Sequence, residues 1–104
     1  MRGVRRFSFG RPGRLIVAPQ RGLRARTVQL PKSARMAWHS TGRREELVLA
    51  IAGSLVVAVM DCADRMRRIS LCAGEGVFLP RATRHAVMNA SAQAASYIYV
   101  TGRA

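Results

Sequence analysis

Acidic residues are scarce in this chain: five in 104 positions, and none before Glu45. Lysine occurs once, at Lys32, against 17 arginines. The first 44 residues therefore carry a net charge of +12, and residues 45–104 only +1. A basic lead of this kind has two readings. It is an arm that meets phosphates on nucleic acid or lipid headgroups, or a solvated stretch that follows the arginine preference of the whole chain. Its first 20 residues hold only two aromatics, Phe7 and Phe9, so the base stacking that supports nucleic-acid binding has little to rest on. An organellar leader would need an amphipathic helix, which the three glycines and one proline of "MRGVRRFSFGRPGR" interrupt.

Long apolar runs are missing too. "LIVA" at 15–18 is too short for a secretory signal, and nothing approaches the ~20 residues of a membrane span. The expectation is a cytoplasmic protein without a membrane segment. The two cysteines, Cys62 and Cys72, are separated by nine residues. A hairpin centred near Ala63–Asp64 would put Cys72 opposite Leu55, which excludes a bond to Cys62 and leaves both as small core residues in a reducing compartment. Asn89-Ala90-Ser91 fits a glycosylation sequon, without weight in the absence of a secretory route.

What is present is strand-like. Nearly half of the residues, 49%, are apolar, enough for one modest core. They come in short runs cut at regular intervals by turn residues: "LIVAP", "LRARTVQL", "ARMAWHS", "ELVLAIA", "LVVAVMDC", "RMRRISL", "VFLP", "HAVMNA" and "ASYIYVT". "RREELVLAIAG" has a helical composition, but its unbroken apolar stretch has strand length and stops at Gly53. Eight or nine strands with no helical interlude predict an all-β antiparallel sandwich or small barrel. The division expected is a basic arm over residues 1–20 and one barrel over 21–104, with Gly10, Gly13 or Gly22 marking the start of the core. "LVVAVM" is apolar on both faces, so its outer face needs a second layer or a partner subunit, which suggests a homodimer.

The only two histidines fall in two informative stretches. In "HSTGRREELVLAIAG", His39 and Thr41 are two apart, Glu46 follows the turn at Gly42, and six residues separate Glu46 from Gly53. In "GEGVFLPRATRHAVMN", five residues separate Gly74 from Pro80, and Ala82, His85 and Asn89 follow. Pro80 stops one strand because it has no N–H for the ladder, and His85 opens the next. Alternation puts His85, Val87 and Asn89 on one face, and Glu46, Val48 and Ala50 on one face of theirs. If both faces line one interior, His39, Glu46 and His85 converge. Two imidazoles and a carboxylate on one side of a cation leave coordination positions open, an arrangement that suits Zn, Fe, Mn or Ni.

These spacings resemble the two motifs of the cupin superfamily. The second motif is matched at every position but one, Ala82 standing where glycine is usual. The first is matched at His39, Glu46 and Gly53, with Thr41 in place of the second histidine. The resemblance covers about residues 36–101. It implies a cupin-like jelly-roll barrel, the double-stranded β-helix, and it implies His39, Glu46 and His85 as ligands of a divalent metal ion. A threonine hydroxyl is a poor ligand, so Thr41 is a candidate for holding water or a substrate group. Arg84 beside His85, and Tyr97 and Tyr99 on the last strand, are further substrate-binding candidates. The tyrosines line the pocket or pack the outside; alternation leaves that open. Trp38 is expected to face away from the cavity, and Glu45 to face solvent, Arg43 or Arg44.

Three functions follow. The first is a small single-domain cupin that holds a divalent metal and binds a small polar molecule, such as a sugar or keto acid, with isomerisation or oxygen-dependent cleavage as the chemistries implied. The second is a non-catalytic ligand-binding or sensing barrel without a metal. The third is nucleic-acid binding through the basic arm, with the barrel as an oligomerising scaffold.

Overall fold

The computed structural model describes residue 4, residues 6–16 and residues 22–103. They form nine antiparallel strands and no helix: β1 Gly13–Arg14, β2 Arg24–Leu30, β3 Arg35–Ser40, β4 Arg44–Ala52, β5 Ser54–Met60, β6 Met66–Cys72, β7 Gly76–Leu79, β8 Arg84–Asn89 and β9 Ala95–Arg103. No helix among them is long and apolar enough to cross a membrane. Of the expected strand at "LIVAP", Leu15 and Ile16 lie just beyond β1, and residues 17–19 are outside the described residues. The arm expected over residues 1–20 is described in part. Its Gly13 and Arg14 pair with Thr27 and Arg26 as the outermost strand of a sheet, and Thr27 Oγ1 donates to the Phe9 carbonyl.

The strands make two sheets, ordered β1-β2-β9-β4-β7 and β3-β8-β5-β6. Chain neighbours thus often lie in different sheets, as in a jelly roll. The sheets close on a core of Val48, Leu55, Val57, Leu79, Val87 and Tyr97, each at most 2% exposed. Alternation decides which side chains enter it. On β4, Glu46, Val48 and Ala50 are buried while Leu47 and Leu49 are exposed. On β5, between β8 and β6, Leu55 and Val57 face the core.

Turn chemistry sets the corners. Gly53, at φ 77°, joins β4 to β5; a Cβ there would lie 2.7 Å from Ser91 Oγ and 2.8 Å from Ala95 Cβ. Only glycine meets both demands. Between β5 and β6, Asp61 Oδ1 accepts from the N–H groups of Ala63 and Arg65, and Asp64 sits at φ 59°. This connection centres the hairpin on Ala63, one half-step from the expected centre. Cys72 therefore pairs with Ser54, not Leu55. Both cysteines are free, and both are exposed rather than core residues.

Candidate metal centre

Two corners bring the histidines together. Thr41 Oγ1 donates to the Pro80 carbonyl at 2.8 Å and accepts from Thr83 N–H at 3.0 Å. Thr41 N–H donates to the Thr83 carbonyl, and Ala82 N–H to the Gly42 carbonyl. The loop after β3 is thereby stapled to the loop before β8, and His39 pairs across the ladder with His85. Their rings lie 4.2 Å apart, tilted by 58°. Thr41 borders the cavity, but its hydroxyl is engaged by backbone on both its donor and acceptor sides.

Glu46 arrives from the opposite sheet, on β4. Its Oε2 lies 3.3 Å from His85 Nε2. His39, Glu46 and His85 each offer a ligand atom, and these atoms lie within 4.8 Å of one another. His85 is fully buried, Glu46 is 8% exposed, and His39 faces solvent. Both rings are oriented by backbone carbonyls: Nδ1 of His39 meets Ala37 O at 2.9 Å, and Nδ1 of His85 meets Thr83 O at 3.1 Å. A carbonyl only accepts, so Nδ1 carries a proton, and in the neutral ring Nε2 is left with the lone pair. Ligating imidazoles are oriented in this way.

His85 Nε2 is buried and, despite the short distance to Glu46, makes no hydrogen bond of acceptable angle. A buried polar atom without a partner is costly, and a cation seated between the three groups would satisfy it. The donor set thus fits a divalent ion of borderline softness. Without an ion, burial acts to lower the His85 pKa, but the Glu46 carboxylate and the Thr83 carbonyl outweigh it and raise the group above its ordinary value.

A cavity of about 430 Å³ opens beside the triad. Tyr97 and Tyr99 line it, which resolves their orientation: both share the inward face of β9. Tyr97 is 1% exposed. Burial first, then the Glu46 carboxylate and Tyr99, push its phenol well above its ordinary range, so it remains a donor. Trp38 is half-buried and also borders the cavity, contrary to expectation, because the β3–β8 register shifts between Met36 and His39 and the alternation breaks there. Arg84 does not join the site. It is exposed, since His85 takes the inward position. Glu45 lies on the outer face without an ion-pair partner among the described residues, while Arg44 turns inward.

The residues that sequence reasoning missed are Arg24, Arg44 and Thr101, all lining the cavity. A signal existed for Arg44, which shares the parity of Glu46, Val48 and Ala50. Asn89 serves structure instead. Its amide nitrogen donates to the carbonyls of Leu30, Pro31 and Gln93, and its Oδ1 accepts from Ser91. This buried side chain is not presented as a glycosylation acceptor.

No family model matches the chain, and no curated protein does. Solved structures do. The cupin domain of Schizosaccharomyces pombe Cnp3 matches with a TM-score of 0.74 at 13% identity, over 86% of this chain and 61% of that one. The Drosophila melanogaster CENP-C domain gives 0.74 at 12%, over 86% and 64%. An oxalate oxidase in complex with the substrate analogue glycolate gives 0.74 at 19%, over 79% and 42%. The chain spans less than two thirds of each of these structures, and at such identities the likeness speaks for the fold. With two antiparallel sheets in jelly-roll order and both motif stretches meeting in one interior, the chain has the cupin fold.

Proposed function

We propose that this barrel holds a divalent metal ion through His39, Glu46 and His85 and binds a small polar molecule in the adjoining cavity. The observation that carries the proposal is the buried Nε2 of His85, which makes no hydrogen bond among the described residues and lies within ligand distance of the other two groups of the triad. The ion would supply Lewis acidity to a ligand oxygen. The chain's own residues would orient it: Tyr97 as a protonated donor, with Met36 and Val87 as apolar wall. A cavity of this size suits a small metabolite. Isomerisation or oxygen-dependent cleavage of a sugar or keto acid is the chemistry to assay, with added iron or manganese. The neighbouring structures include an oxidase and centromere-protein domains, so a binding or sensing barrel is the alternative, and absence of turnover with retained ligand binding would favour it.

Elemental analysis of the purified protein beside His85→Ala tests the centre. The expected result is about one equivalent of metal in the unmodified chain and a loss of at least tenfold in the variant, the scale of losing one of three ligands. Equal metal content in the two overturns the proposal.

We also propose that the chain pairs with a second copy through the outer face of β9, β4 and β7. Leu47 and Phe78 are directly paired and 42% and 53% exposed; Leu49, Ile98 and Val100 adjoin them. The outward positions of these three strands carry no arginine, and Glu45 is their one acid. In a chain of net charge +13, this is a face where two copies can meet without opposing like charges.

A further inference from the structure

Beside the triad, the inward face of the five-stranded sheet carries an unusual row. Arg24 pairs across the ladder with Thr101, and Thr101 with Glu46. One row further out, Arg44 pairs with Arg103. Arg24 and Arg44 both line the cavity that holds His39 and Glu46. The guanidinium of Arg44 is held in place: Nε donates to Thr101 Oγ1 at 2.9 Å, and Nη2 donates to the Thr101 carbonyl at 3.3 Å and to the Gly22 carbonyl. Its Nη1 makes no hydrogen bond among the described residues.

None of these arginines has a carboxylate partner among the described residues. The ion pairs among the described residues are Arg65 with Asp61 and His85 with Glu46. Like charges crowded at a cavity wall raise the energy of the empty site, and an anion between them relieves it. Next to it, a recess lined by Arg14, Arg24 and Arg26 shares Arg24 and Tyr99 with the cavity and extends the positive field to the surface.

We propose that Arg24 and Arg44 form a carboxylate subsite, so that the cavity selects a small carboxylic acid bearing a second oxygen donor directed at the triad. A guanidinium with fixed orientation and free N–H groups matches a planar carboxylate. Glu46 is two residues from Arg44 along β4 and two strands from Arg24, distances of roughly 7 and 10 Å at ordinary sheet spacings. These are backbone spacings, and the reach of the arginine and glutamate side chains shortens them, so a molecule of about three carbons with its acid next to a hydroxyl or keto oxygen fits between. The inference deepens the metal reading and depends on it for the second anchor; the arginine anchor does not require the ion.

Calorimetric titration of the full chain with lactate, and with its neutral isostere lactamide, tests this. Lactate is expected to bind at least about tenfold more tightly, the worth of one charge-assisted hydrogen bond. Arg44→Gln and Arg24→Gln should each remove that preference while metal content stays that of the unmodified chain. The Arg24 side chain makes no hydrogen bond among the described residues, so its variant tests the subsite even if loss of Arg44 disturbs folding. Equal affinity for lactate and lactamide overturns the subsite, as does a preference that survives both substitutions, or binding of inorganic phosphate in place of lactate. A lactate preference in a protein free of metal would uphold the subsite and sink the metal reading instead, so the two failures are distinguishable.

Discussion

Ala82 shows how a single residue departs from its motif at a cost that can be measured. It occupies the left-handed region at φ 58°, where a Cβ crowds the following carbonyl. The position is exposed, so no packing argues for alanine. Ala82→Gly is expected to raise unfolding stability by about 0.5–1 kcal/mol, the steric relief net of the added chain entropy, read from the urea midpoint. His85 gives a second test. In chelator-treated protein its folded pKa is raised. The Glu46–His85 attraction therefore contributes fully below the unfolded value of about 6.5 and fades as pH rises through the folded value. Stability of the metal-free chain should fall from near-neutral pH upward, and Glu46→Gln should flatten that slope. A metal ion reverses the trend, since it binds the neutral imidazole and competes with protons.

At the scale of elements, the connection from β8 to β9 hangs on Asn89. Its side chain ties the end of β8 to the end of β2 and to the turn before β9. Asn89→Ala leaves the carbonyls of Leu30 and Pro31 without this donor and should destabilise the fold by about 2–4 kcal/mol, visible as a lowered denaturant midpoint with β-sheet circular dichroism retained under native conditions. The strands themselves were legible because Gly42, Gly53, Gly74 and Pro80 cut apolar runs at sheet-length intervals, and because the interval from Glu46 to Gly53 matched a known pattern. The irregularity of β3 was not: neither glycine nor proline marks the shift between Met36 and His39, and Trp38 was misplaced as a result. Arg24 and Arg44 escaped notice for a different reason. A charged residue at the end of a strand reads as solvated, and only the pairing of β2, β9 and β4 reveals that this end opens into a cavity. Cys72 was misplaced by a half-step in hairpin register, which sets it opposite Ser54 rather than the core residue Leu55, and Cys62 lies in the turn between the two strands.

Over the whole molecule, charge and apolar surface are sorted to different sides. Arg14, Arg24, Arg26 and Arg44 gather at the cavity and the recess beside it, while the outward positions of β9, β4 and β7 carry no arginine. If two copies join there, Phe78→Glu or Leu47→Glu should give a monomer by sedimentation, with metal content unchanged because both side chains point away from the triad. A monomeric unmodified chain at tens of micromolar would remove the pairing. Such a face, if left open, invites aggregation, so low-salt solubility of the two charged variants should exceed that of the parent.

The three groups of the triad are unequally sheltered: Glu46 and His85 lie in the interior, while His39 sits on β3, the border strand of its sheet. The side on which His39 meets the cavity is therefore a route to the centre. With an ion bound as proposed, the concealed pair would set how firmly it is kept, and the outlying imidazole how quickly it is exchanged.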